Sequence, residues 1–153
     1  MDDTTVPVSM AQALEAFFAD AAMSDHPATR ARIIAVRRHL DVFLDTEAER
    51  ALVPDERILV EAEREIDPVA AVARVAPPEA LIAALPGFLE DAWLLPAQAD
   101  ARVQVRVVAQ LAEWVTHHGL APGMECFVHQ IHTAVRDARR SIADRALPGA
   151  PPG

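Results

Sequence analysis

This chain repeats its own apolar pattern at a spacing of 71 residues, and that echo limits what it can fold into. Leu14, Phe17, Asp20, Ala21, Val36 and Leu40 return without a gap as Leu85, Phe88, Asp91, Ala92, Val107 and Leu111. Phe18, Met23, Ile34, Phe43 and Leu44 are answered by apolar Leu89, Leu94, Val105, Trp114 and Val115. A segment with one apolar stripe needs a partner surface to bury it. Two segments with one pattern therefore predict one supersecondary unit made twice. The spacing within each is helical, and no segment alternates in polarity over the length of a strand. The expectation is an all-α fold: a helical bundle built from two pseudo-repeated helical hairpins (about 14–45 and 85–116) plus a long C-terminal helix.

Punctuation residues set the expected boundaries. Ser9 and Gln12 form a capping-box pair that opens a helix through about Ala22. Pro27 opens the second, to about Asp45, with Ile33, Val36, Leu40, Phe43 and Leu44 as its stripe. Thr46 to Glu49 reads as a second capping box before a short turn. Glu56 to Glu65 reads as helix, although Arg57–Val60 also has the character of a short strand. Asp67-Pro68 starts a short Ala/Val helix, and Pro77-Pro78 ends it and starts another. Pro86-Gly87 predicts a kink or two abutting helices. Gln98 to His118 is the clearest helix, with His118 on its inner face and Gly119 suited to a left-handed cap. Pro122 opens the last helix, to about Ala146. The expected organisation is a flexible N-terminus (1–8), one helical domain (9–146) and a disordered Pro/Gly tail (147–153).

At 153 residues with 52% apolar composition, one domain can bury a sizeable core. The N-terminus lacks the basic flank and apolar stretch of a secretory signal. No apolar run approaches the ~20 residues that span a bilayer. With Cys126 as the single cysteine, no intrachain disulfide can form, and a cytoplasmic chain is expected. Lys, Tyr and Asn are absent, so every positive side chain is Arg apart from His. That excludes Schiff-base and P-loop lysines and a Tyr general acid. None of the three serines sits in a G-x-S-x-G setting. No cofactor is implied.

Two clusters have side chains that can do chemistry. Glu113 and His117 stand four apart, as do Glu125 and His129, while Cys126, His129 and His132 are spaced by threes. A short link at Gly119–Pro122 brings these groups to one end of two antiparallel helices. Glu113, His117, Glu125, Cys126 and His129 are therefore the candidate ligands for a zinc-like ion or a small ligand. The second cluster is basic: Arg30, Arg32, Arg37 and Arg38 on the second helix, with Arg136, Arg139, Arg140 and Arg145 on the last. Arg suits phosphate recognition, but Asp41, Asp137 and Asp144 intersperse these groups. The net charge of −9 opposes broad nucleic-acid binding.

Residues 14–45, and most of all Arg32-Ile-Ile-Ala-Val-Arg-Arg-His-Leu-Asp-Val-Phe-Leu44, resemble the helical core-binding (SAM-like) domain of tyrosine recombinases. The likeness lies in an apolar helix, a short turn, and a helix with apolar residues ordered as Leu40, Phe43 and Leu44. It implies a similar helical hairpin; in that family the domain grips the DNA backbone from one side, and the nucleic-acid-binding candidates here, from the basic cluster, are Arg30, Arg32, Arg37 and Arg38. Arg32 and Val36 stand where that family usually has Thr and Tyr, and no catalytic domain accompanies the segment.

The connector from Asp45 to Asp67 carries nine acids against Arg50, Arg57 and Arg64. It reads as an exposed acidic helix, or functionally as a docking surface for a basic partner. Three functions follow as expectations. The first is a non-enzymatic helical module that acts through a protein partner or self-association. The others are a nucleic-acid-associated accessory protein and a metal- or small-ligand-binding protein.

Overall fold

The computed structural model describes residues 8–21 and 26–145. The expected tail, and all of the expected flexible N-terminus except Val8, lie outside these residues. Within them the chain forms seven α-helices and no strand: α1 (Met10–Ala21), α2 (Pro27–Glu47), α3 (Pro54–Ile66), α4 (Ala71–Val75), α5 (Pro78–Phe88), α6 (Gln98–His117) and α7 (Glu125–Arg145). A 3₁₀ turn at Ala48–Ala51 follows α2. No helix among the described residues is long and apolar enough to cross a membrane.

Each boundary has a local cause. The Ser9 Oγ accepts the Gln12 N–H (3.1 Å), while the Gln12 Oε1 accepts the Ser9 N–H (2.9 Å). This reciprocal pair satisfies two donors that a helix start leaves orphaned. Substituting Ser9→Ala is expected to cost about 1 kcal/mol. Thermal unfolding followed by circular dichroism should show a melting point lower by roughly 2–4 °C. Pro27, Pro54 and Pro78 each sit in a first turn, where a missing N–H costs nothing. Pro86 removes a donor near the end of α5, and the helix stops at Phe88 rather than kinking and continuing. Gly119 (φ 64°) closes α6 in the left-handed region, with the Leu120 N–H reaching back to the Val115 carbonyl (3.1 Å).

Some expectations are corrected. Thr46 opens no helix: its hydroxyl donates to the Val42 carbonyl (2.7 Å) and α2 runs on to Glu47. The helix expected over Glu56–Glu65 is present, with Arg57–Val60 helical inside α3. The short Ala/Val helix begins at Ala71, three residues after Pro68. The last helix begins at Glu125, because Gly123 (φ 81°) takes a left-handed turn after Pro122. His118 is exposed. It lies against the Trp114 ring (4.3 Å), and its Nδ1–H donates to the Trp114 carbonyl (2.8 Å) at the end of α6.

One pair of helix starts keeps the spacing of the echo, α2 at Pro27 and α6 at Gln98, whereas α1 and α5 start 68 residues apart, at Met10 and Pro78. Packing, however, does not close two separate hairpins. α1 packs chiefly on α4, α5 and α6, while α2 lies along α6 and also touches α4 and α5. Aromatic contacts also cross between the halves. Phe17 of α1 meets Trp114 of α6 at 5.9 Å between ring centroids, and Phe88 of α5 meets Phe43 of α2 at 5.2 Å. By the 71-residue offset, Phe88 corresponds to Phe17 and Trp114 to Phe43. Gly87 allows this approach, since a Cβ there would come within 3.3 Å of the Phe43 Cζ. The echo fails at Ile34, which is 42% exposed although its counterpart Val105 is buried. α6 is covered by both α2 and α7, so it buries more of its circumference than α2 does.

The core runs continuously from Met10 to Ile142 and is dominated by Leu, Val and Ala, with Phe17, Phe18, Phe43 and Phe88 as its aromatic members. Gln104 is the one polar residue buried among the described ones. Its Oε1 accepts the Leu95 N–H (2.8 Å), and its Nε2 donates to the carbonyls of Phe88 and Trp93 (both 3.0 Å). His39 reaches the same Trp93 carbonyl through its Nε2–H (2.6 Å) and packs against the Phe88 and Trp93 rings. These bonds tie the turn between α5 and α6 to the core.

Between α1, α2 and α4 lies a groove lined in part by Glu15, Arg37, Asp41 and Asp45. Burial raises the Asp41 carboxyl above its usual range, and the Arg37 guanidinium opposes this only in part. A raised carboxyl favours the fold below the ordinary carboxylate pKa, and that contribution is lost as pH rises through the raised value. Asp41→Asn should therefore stabilise the protein at neutral pH, by at most about 0.5 kcal/mol after solvent screening. The gain should vanish in acid, where both forms are neutral. Urea unfolding at both pH values measures the difference.

Candidate functional site

The five expected metal ligands do not assemble. Glu113 and His117 border a groove of about 530 Å³ between α1 and α6, together with Phe17, Asp20, Gln110 and Trp114. Glu125, Cys126 and His129 are exposed on α7. The buried stripe of that helix is Ile131, Val135, Ala138 and Ile142, which turns Cys126 to the far side and His129 well away from α6. Among the described residues, no three His, Cys, Asp or Glu side chains converge to hold a metal ion. The short link does bring α6 and α7 side by side, but helical phase points the ligands in different directions.

The α2 arginines do not present a common free face either. Arg32 pairs with Asp100 of α6 (Nε–Oδ1 3.3 Å). The Arg37 guanidinium lies 5.2 Å from the centre of the Phe18 ring, where a cation meets the negative face of an aromatic ring. Arg30 and Arg38 are exposed. Two of the four thus serve packing between helices.

The unusual surface belongs to α3. Val60 is its one buried side chain. At about 100° per residue, Ile58, Leu59, Ala62 and Ile66 share one side of the helix, and Val60 points away from it. Ile58 is 67% exposed, Leu59 57% and Ile66 82%, and Val69 just beyond the helix is also exposed. Exposed large apolar residues are ordinary when scattered; here they share one helix face.

Polar clasps hold α3 in this orientation. The Val53 N–H donates to the Glu56 carboxylate at its start (3.1 Å). Arg64 pairs with Glu49 of the 3₁₀ turn (2.8 Å). Arg74 of α4 donates to the Glu63 carboxylate (2.7 Å), to the Asp67 carbonyl (2.7 Å) and to the Val69 carbonyl. The clasps and Val60 occupy the inner side, so the apolar stripe faces out. Asp55, Glu61 and Glu65 stand around that stripe, and α3 carries five acids against Arg57 and Arg64.

The acidic character of this segment is visible in the sequence. The stripe was also there, as Ile58, Leu59 and Ile66 at helical spacing. Sequence alone does not say which side of an amphipathic helix the fold covers, and an apolar stripe normally faces inward. Comparison with models of protein families, with curated proteins and with solved structures returns no significant match to this chain.

Proposed function

We propose that this protein is a non-enzymatic helical interaction module, and that α3 docks a basic amphipathic helix of a protein partner. The observation that carries the reading is the outward-facing stripe of Ile58, Leu59 and Ile66 on a helix with one buried side chain. Burying two such side chains contributes roughly 1.5–3 kcal/mol each. That energy is realised only when a partner covers them.

The rim selects the partner. A helix with apolar anchors at i, i+3 and i+4 fits an apolar stripe, and Lys or Arg on its flanks complements Asp55, Glu61 and Glu65. Two copies of α3 brought face to face would oppose acid to acid, which favours a different protein over self-association.

A fluorescently labelled 18-residue Leu/Lys amphipathic peptide tests this. Anisotropy should show saturable binding that weakens as salt rises, and the Leu/Glu peptide of the same pattern should not bind. Equal binding of both peptides, or of neither, contradicts the proposal.

A further inference from the structure

We propose that the groove between α6 and α7 is a binding site for a phosphate-bearing small molecule with an apolar part. The groove has a volume of about 300 Å³ and is lined by Arg102, Val105, Arg106, Arg139, Ile142 and Ala143. Three arginines, all exposed, line one small concavity in a protein of net charge −9, and no acidic residue lines it. None of the three arginines makes an ion pair with another described residue, whereas Arg32, Arg50, Arg64 and Arg74 all do.

Like charges at i and i+4, as Arg102 and Arg106 are, repel one another along the helix. Arg139 brings a third positive charge to them from α7. An anion relieves that repulsion. One guanidinium fork satisfies the two oxygens of a carboxylate, whereas a lining of three arginines suits a group with more acceptor oxygens and more charge, such as a phosphate monoester. The floor is apolar, because Val105 and Ile142 are buried members of the core that reach the groove from below. A concave apolar floor with a few convergent polar groups is the usual form of a small-molecule site. The phosphate lies among the arginines and the apolar part of the ligand lies on Val105, Ile142 and Ala143. This site is independent of the α3 surface.

The test is nuclear magnetic resonance titration of the whole protein with phenyl phosphate and, separately, with inorganic phosphate, following the arginine Nε–H signals and the Val105 and Ile142 methyl groups. The expected result is saturable shifts at Arg102, Arg106 and Arg139, with phenyl phosphate binding more tightly than inorganic phosphate and moving the methyl signals. Losing one charge-assisted hydrogen bond should weaken binding about 10-fold or more, so Arg106→Ala and Arg139→Ala should each show that loss. Arg50→Ala removes the same charge elsewhere and should leave affinity unchanged. Non-saturating shifts spread over all exposed arginines would overturn the proposal. So would equal affinity for the two probes with unmoved methyl signals. Shifts at these arginines with duplex DNA but none with phenyl phosphate would also overturn it, in favour of a nucleic-acid backbone.

Discussion

Gln104→Leu should lower the stability of this protein by about 3–4 kcal/mol, although leucine nearly matches the lost volume. The side chain is fully buried and forms three hydrogen bonds, all to backbone groups between Phe88 and Leu95. Leucine leaves the Phe88 carbonyl and the Leu95 N–H without that partner, and the Trp93 carbonyl keeps only His39. Each buried polar group left unpaired costs about 1–3 kcal/mol. The sum is a large part of the roughly 5–15 kcal/mol that holds a domain together. The melting point should fall by about 10 °C, and urea unfolding gives the free energy directly. Gln104→Glu should be at least as damaging, because a carboxylate cannot donate to the two carbonyls and must be buried as a charge or protonated. A loss under about 1 kcal/mol in both variants would mean that the turn between α5 and α6 is held by something else.

The double variant Ile58→Asp/Ile66→Asp should behave in the opposite way. Both residues are mostly exposed, so removing them should change folding stability by no more than about 0.5 kcal/mol. Binding of the Leu/Lys peptide should weaken by about 100-fold or more, since two apolar anchors are lost at roughly 1.5 kcal/mol or more each. Most globular helices lose stability when an apolar stripe is charged, because that stripe is buried in the fold. Stability kept and affinity lost is the signature of a stripe reserved for a partner. If the double variant unfolds, the stripe is packed within the protein. If it binds as well as the original, the peptide docks elsewhere.

The helical class was legible because apolar spacing, capping residues and prolines agree along most of the chain. Ser9 with Gln12, Pro27, Pro78 and Gly119 all act at helix ends as their chemistry predicts. What stayed hidden depends on which surfaces meet. The 71-residue echo predicts matched elements but not partners, so contacts such as Phe17 with Trp114 and Phe43 with Phe88 could not be read from it. Gln104 was hidden by the echo itself, since its counterpart is Ile33 on an apolar stripe. Its role appears only once the turn at 88–95 comes beside it. The metal set failed for a related reason: proximity in sequence put Glu113 and Cys126 near one turn, and helical phase sent them apart. The groove with Arg102, Arg106 and Arg139 exists only once α6 and α7 lie side by side, since its lining comes from both helices.

Hydrogen exchange on the protein bound to its partner from the source cell tests the docking surface most directly. The complex should be recovered by affinity capture, with and without nuclease treatment. The account predicts nuclease-resistant capture, added amide protection concentrated in residues 54–69, and loss of both in Ile58→Asp/Ile66→Asp. Protection confined to α6 and α7, capture that nuclease abolishes, or a chain that retains no partner at all would contradict it.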